Sequence, residues 1–434
     1  MTKKNTWDKA KKIIPGGNNF FSKRPDNFLG DNGWPTYYKK SKGCEIWTTD
    51  HKHFIDMSLM GVGPCILGYA NDEVTAAVIH SIENGIVSTL NAPEEIELAE
   101  RLVSINPWAD MAKFTKSGGE ANAVAIRIAR AAAKNSIVGV CGYHGWHDWY
   151  LAANLSETNS LNNHLMTGLK SKGVIEELAN YIHTFEYNDI DAVEDLIVNK
   201  GVGIIKMEVR RNIEPEENFL MTVRNLCTNH GVILIFDECT SGFRENFGGL
   251  HQSYNVFPDI AMFGKAIGNG HPICAVIGKR EVMNKANDSF ISSTFWSERS
   301  GFAASLKTLE IMERDRTFET IPSIGRGIKK SWEKLSKKYN LDLVIGGLDS
   351  MPSFTFKSMH NNHYKSFITE FMLKEGFLAT NTVYISIAHT PDKVSSYIEA
   401  LEKAFKIISD VFPGKTLHDQ MEFSDASEGF KRMN

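Results

Sequence analysis

Asp237 and Glu238 close an apolar run in "VILIFDECTSGFR" (232–244), and Lys265 stands among small and apolar residues in "FGKAIGNGHP" (263–272). A buried carboxylate is costly unless a cation or hydrogen-bond donors meet it. A lysine on a glycine-flanked turn offers an amine for a Schiff base, and an aspartate in apolar surroundings suits a protonated ring nitrogen. Together they meet the demands of pyridoxal phosphate, whose pyridinium is an electron sink for a carbanion. Two unit charges about 4 Å apart attract by roughly 4 kcal/mol at an effective dielectric near 20. About 1.4 kcal/mol is tenfold in rate, so even a fraction of that attraction matters. On these residues alone a plainer alternative stays open, in which Asp237 caps a helix and Lys265 is a solvated loop lysine.

A phosphate needs its own seat. "KSGGEANAVAIRIAR" (116–130) sets Ser117, Gly118 and Gly119 directly before a strong helix. Small residues let backbone N–H groups approach an anion, and the helix N-terminus adds about half a positive charge. An ordinary N-capped helix is the alternative for this segment. Neither a GxxxxGK[ST] loop nor a GxGxxG after a strand is present, which argues against a nucleotide site. In "GYHGWHDWY" (142–150) a tyrosine is placed to stack on a planar ring, and the two histidines read as core or hydrogen-bonding groups. Without HExxH or a cysteine partner they do not form a metal site.

These residues must be positioned by alternating helices and strands. "NAVAIRIARAAAK" (122–134), "DAVEDLIVNK" (191–200) and "FLMTVRNLCTNHG" (219–231) have helical patterning, the last closed by Gly231. "NSIVGVCG" (135–142), "GVGIIKMEV" (201–209), "VILIFDE" (232–238), "DIAMFGK" (259–265) and "ICAVIGK" (273–279) read as buried strands. The alternation predicts an α/β protein with a mostly parallel central sheet covered by helices. In such sheets ligands sit beyond the carboxyl ends of strands, where Asp237 and Lys265 would both lie. The tail carries a helix at 395–412 and strand candidates "LDLVIGG" (341–347) and "VYISIA" (383–388), which suggests a smaller α+β domain. The expected division is 1–60 joining the small domain, 61–310 as the large cofactor-binding domain and 311–434 as the small domain.

Charge and composition narrow the classes further. With 48 Lys and Arg against 52 Asp and Glu, the net charge of -4 offers no basic field for nucleic acid and no polybasic membrane patch. No apolar window is long enough to cross a bilayer, and "MTKKNTWDKAKKIIPGG" lacks a secretory core. The six cysteines form no CxxC pair and read as reduced thiols. A cytoplasmic protein is expected.

In order along the chain, "SGGEA", "YHG", "FDECTSGFR" and "GKAIGNGHP" resemble the class-III aminotransferases, pyridoxal-phosphate enzymes of fold type I. The glutamate-1-semialdehyde aminomutase branch is the most similar, and "IIPGG" (13–17), "IWTTDHKHFIDMSLMGVGPCILGYAND" (46–72) and "STFWSERSG" (293–301) extend the likeness over nearly the whole chain. The resemblance implies Lys265 as the Schiff-base lysine and Asp237 as the pyridinium partner. It implies Gly118 and Gly119, with Ser117, at the phosphate, Tyr143 on one ring face and Cys239 on the other. Glu208 would lie on the cofactor's oxygen side, and Thr294 would reach the phosphate from a partner subunit, which implies a homodimer with shared sites. Two departures stand out: "TTDHKHF" replaces an aspartate-glycine turn, and Trp296, Glu298 and Arg299 replace a glycine- and proline-bearing loop. "KAIGNGHPICAVIG" with "TFWSERSG" is similar to a branch that aminates carbohydrate carbonyls for lipopolysaccharide and other surface polysaccharides, including the terminal aldehyde of an oxidised keto-deoxy-octulosonate.

The implied activity moves an amino group from glutamate to a carbonyl acceptor, with Arg210, Arg211, Glu298 and Arg299 as candidates for substrate recognition. Its rivals are the aminomutase, which moves nitrogen within one substrate, and a non-catalytic protein that binds a phosphate ligand.

Overall fold

A computed structural model describes residues 3–155, 166–167, 169–427 and 431–432. The chain forms two compact units, Asp72–Phe318 with Phe430–Asn434, and Met1–Asn71 with Glu319–Gly429.

The first unit is built on a seven-stranded sheet. Its strands are β1 (Met111–Thr115), β2 (Val138–Cys141), β3 (Ile182–Thr184), β4 (Ile204–Met207), β5 (Ile233–Glu238), β6 (Ile260–Phe263) and β7 (Cys274–Gly278). Their order is β1-β7-β6-β5-β4-β2-β3. The run β6-β5-β4-β2-β3 is parallel throughout, and β7 is antiparallel to both of its neighbours. A mostly parallel sheet was expected. The reversed β7 follows from the short connection after β6, only residues 264–273, too short for a helical crossover back to the sheet's other end. Because both faces are covered, β2, β4, β5, β6 and β7 are buried at every position, which explains apolar runs without alternation.

Helices appear where the patterning placed them. Helix α1 (Gly118–Ala132) buries Ala121, Val124, Ala125, Ile128 and Ala129. Helix α2 (Ile190–Val198) precedes β4, and α3 (Phe219–His230) ends at Gly231, whose φ of 67° suits a residue without Cβ. Helix α4 (Arg299–Arg314) buries Phe302, Ala304, Leu309 and Met312.

In the second unit, strands Tyr38–Lys42, Glu45–Thr48, His53–Met57 and Phe377–Ala379 form one sheet, and Leu343–Gly346 pairs with Ser353–Phe356. The turn in "TTDHKHF" still makes a hairpin, with His51 at φ 67°. The expected strand "VYISIA" does not form. Val383 and Ile385 donate their N–H groups to Pro352 and Ser350, whereas Tyr384 donates to Ser58. Successive residues thus bond to different segments, so a buried apolar run exists with no ladder to make it a strand.

Candidate active site

Strand period explains the paired acids at the end of β5. Adjacent side chains leave a strand on opposite faces. Glu238 turns to one side and accepts from Ser241 Oγ, the Leu250 and His251 N–H groups and His251 Nδ1. It ties the segment after β5 to the sheet. Asp237 turns to the other side, where it is 4% exposed.

Around Asp237 the two oxygens are used unequally. Oδ2 accepts from His144 Nδ1 at 2.9 Å and faces Lys206 Nζ at 3.6 Å. Oδ1 accepts the Cys239 N–H at 3.1 Å. Among the described residues nothing else donates to Oδ1, so one of its two lone pairs is left for a ligand N–H. Burial would raise this carboxyl, but Lys206 and His144 outweigh it and hold Asp237 well below the ordinary aspartate range. It is an anion at neutral pH.

Lys265 follows β6, the neighbour of β5. Its backbone sits at φ 43°, a left-handed conformation that costs a non-glycine residue roughly 1–2 kcal/mol. Strain of this kind collects where a side chain must be aimed. The half-buried amine donates to Thr240 Oγ1 at 2.7 Å. The sheet therefore sets the acid and the amine at the carboxyl ends of two adjacent strands.

The start of α1 supplies the anion seat. Ser117 and Glu120 form a reciprocal capping box, worth about 1 kcal/mol to the helix. That box consumes the Ser117 and Glu120 N–H groups, while Gly118 and Gly119, in the first turn, donate to no acceptor among the described residues. A Cβ on Gly119 would stand 3.1 Å from Trp146 Nε1 and 3.4 Å from His147 Nε2, so the loop after β2 lies against this turn. A Cβ on Gly118 would be 3.9 Å from Cys239 Sγ, and one on Gly264 would be 3.4 Å from the same sulfur. Cys239 thereby joins the helix start to the lysine turn.

The remaining candidates divide. Glu208 is buried just past β4, and its Oε2 accepts the Tyr143 N–H at 3.1 Å. Gly142, at φ 110°, permits this approach, since a Cβ there would lie 2.7 Å from Glu208 Oε2. Tyr143 meets Tyr150 edge-on. Arg210 pairs with Glu214, and Arg211 follows it. Glu298 instead caps α4 through the Ser300 N–H and pairs with Lys116 Nζ at 2.7 Å. Arg299 clamps both oxygens of Glu94 at 2.9 Å. Both groups are engaged within the chain. Thr294 is exposed at the start of a single turn, beside Phe295.

Three residues that touch this site were not singled out in the sequence: Lys206, Thr240 and Lys116. Lys206 had a signal, a charge inside the apolar strand "GIIKMEV". Elsewhere, His363, His418 and Asp425 lie close enough to suggest a metal. His363 Nε2 accepts the Leu417 N–H at 2.7 Å and its Nδ1 meets Asp425 at 2.8 Å, so the ring has no lone pair to spare.

A mainly parallel sheet, with lysine and aspartate at adjacent strand ends and a helix start offering free N–H groups, is the arrangement of fold type I pyridoxal-phosphate transferases. Residues 30–411 match the aminotransferase class-III family, and the chain belongs to that family. It is 32% identical over 416 residues to the 3-aminobutyryl-CoA aminotransferase of Cloacimonas acidaminovorans (strain Evry), covering 92% of this chain and 95% of the relative. Similarity to a glutamate-1-semialdehyde 2,1-aminomutase of Saccharolobus islandicus is 31% over 423 residues, or 93% and 97% of the two chains. Among solved structures, the pyridoxal-phosphate form of the FumI protein of Sphingopyxis sp. MTA144 superposes with a TM-score of 0.85 at 25% identity, covering 96% and 99%. The protein is a pyridoxal-phosphate-dependent transaminase. Among the described residues no helix is long and apolar enough to cross a membrane.

Proposed function

We propose that this transaminase takes its amino group from L-glutamate and passes it to the carbonyl of a sugar or sugar acid, in the service of surface-polysaccharide synthesis. The observation that carries the catalytic assignment is the environment of Asp237, an anion held from the protein side by His144 and Lys206 with one lone pair of Oδ1 left for a ligand donor. When bound, the cofactor supplies an electron sink for charge that develops on the carbon bearing the transferred nitrogen. Asp237 sustains a proton on the ring nitrogen. Lys265 would hold the cofactor covalently and, as a free amine, would move a proton at the substrate carbon through Nζ. Thr240 orients that amine through its hydroxyl. Gly118 and Gly119 would receive the phosphate, helped by Ser117 at the cap, and Tyr143, Cys239 and Glu208 would line the ring.

The unit Asp72–Phe318 carries all of these residues. Arg210 and Arg211, just beyond β4, are the proposed carboxylate readers; Glu298 and Arg299 act through their ion pairs to shape the loop. A homodimer is supported by the exposure of Thr294 near Phe290 and Phe295, 86% and 64% exposed, because large apolar groups at a surface ask for a cover. The acceptor rests on "KAIGNGHPICAVIG" and "TFWSERSG".

The second reading is the aminomutase, favoured by the relatives that bear that name. Product analysis by mass spectrometry with glutamate and a panel of aldehyde and keto sugars separates the two. Formation of 2-oxoglutarate that requires both glutamate and a sugar carbonyl supports the proposal. Conversion of glutamate-1-semialdehyde with no added donor, and no sugar product, replaces it with the aminomutase.

A further inference from the structure

Lys206 is fully buried on β4, between Ile205 and Met207 in a strand otherwise apolar. Its register partner on β5 is Ile235, so its side chain shares the face of Asp237 but starts two residues deeper in the sheet. Nζ lies 3.0 Å from Met262 Sδ and 3.6 Å from Asp237 Oδ2. Met262 is itself the register partner of Asp237 on β6. A thioether is a weak acceptor. Among the described residues, Asp237 is the one anion within ion-pair distance of this amine.

An amine without a partner is expensive at such a depth, and a buried carboxylate without a cation equally so. The pair therefore has to be read as a unit. Lys206 faces Oδ2 of Asp237, whereas the spare lone pair belongs to Oδ1, where Cys239 also donates. The amine is fully buried, and its two neighbours, Met262 Sδ and Asp237 Oδ2, both belong to the sheet.

We propose that Lys206 is a positioning residue that fixes the shared proton on the cofactor side of the hydrogen bond between Asp237 and the ring nitrogen. This rests on the assignment of Asp237 as the ring's partner. Burial works against the charge on Lys206, whereas Asp237 works for it; as a cation 3.6 Å from Oδ2, Lys206 acts on the carboxylate more directly than on a ring bonded to Oδ1. It therefore stabilises the arrangement of anionic acid and protonated ring over that of neutral acid and neutral ring. The other groups that face the pair are His144 from the loop after β2, Glu208 beyond β4 and Cys239 beyond β5. Of these, His144 donates to the same oxygen and acts in the same sense as Lys206.

The test uses full-length protein loaded with pyridoxal phosphate carrying 15N in its ring. The ring-nitrogen resonance is compared in the wild type, Lys206→Met and Asp237→Asn, with cofactor content and melting temperature recorded for each. Methionine is close in length and leaves the site apolar. In the wild type the resonance should have the protonated-ring position. In K206M it should move toward the unprotonated position, with the ratio of the two proton placements falling about tenfold, equivalent to one pH unit of relative proton affinity. In D237N it should move the whole way. A K206M resonance unchanged from the wild type, while D237N moves, overturns the role of Lys206 and leaves Asp237 as the ring's partner. A D237N resonance that does not move removes the assignment on which the inference rests. If K206M fails to fold, Lys206→Arg, which keeps the charge, must retain the wild-type resonance; a shift toward the unprotonated position there also overturns it.

Discussion

Lys265 donates its Nζ–H to Thr240 Oγ1 at 2.7 Å from a backbone held at φ 43°. Thr240 is three residues beyond Asp237, so the end of β5 and the turn that follows it carry both the acid and the group that aims the amine. Replacing Lys265 with Ala removes the only atom of this pair able to bond covalently to an aldehyde. The expected outcome is loss of cofactor attachment: no mass gain after borohydride treatment of the loaded protein. Persistence of the adduct at wild-type yield would assign the covalent role to another lysine.

Asp237→Asn keeps the shape of the side chain and removes its charge. The cofactor should still be held through Lys265 and the start of α1, with the amino-transfer rate lower by a factor on the order of 10³. That factor follows from an attraction of roughly 4 kcal/mol between close unit charges at an effective dielectric near 20. Single-turnover kinetics with glutamate measure it directly. Turnover within a few-fold of the wild type would disprove the assignment.

The start of α1 makes a separate prediction. A methyl group on Gly119 would crowd Trp146 Nε1 at 3.1 Å and His147 Nε2 at 3.4 Å. Trp146 is 67% exposed and can swing outward, which spares the fold but loosens the loop over the helix start. Gly119→Ala should therefore weaken cofactor binding about tenfold, near 1.4 kcal/mol, with little change in melting temperature. Equilibrium dialysis of apoprotein with cofactor checks it, and unaltered affinity would place the anion elsewhere.

How much of this was legible in the sequence depends on range. Helix α1 announced itself through alanine content and the Ser117–Glu120 spacing, both local signals. Asp237 and Lys265 could be placed at strand ends because apolar runs stop there. The reversal of β7 was not visible, since "ICAVIGK" has the same buried composition in either direction. "VYISIA" was mistaken for a strand because burial dictates apolar residues, whereas ladder formation depends on partners hundreds of positions away, such as Ser58. The pairings of Glu298 with Lys116 and Arg299 with Glu94 are also non-local, so the sequence does not show them.

Away from the cofactor, Asp259 makes the most exacting stability prediction. It is 7% exposed at the start of β6, and its carboxylate accepts from Arg224 Nη1 at 2.8 Å, Lys279 Nζ at 2.7 Å and the Leu234 N–H at 2.9 Å. Burial would raise this group, but Arg224, Lys279 and the Leu234 N–H outweigh it and hold it below the ordinary aspartate value. A carboxylate lowered by folding binds its proton more weakly in the folded chain than in the unfolded one. Its contribution is therefore complete above the unfolded value, near 3.9, and is lost as pH falls through the folded value. Asp259→Asn should cost about 1.5–3 kcal/mol at neutral pH, the range for hydrogen bonds to charged groups. The difference from the wild type should shrink as the solution is acidified below about pH 4. Urea denaturation at a series of pH values gives both numbers. A mutant as stable as the wild type at neutral pH, or a difference that grows on acidification, would show that the Arg224–Asp259–Lys279 bridge does not anchor the sheet's amino end.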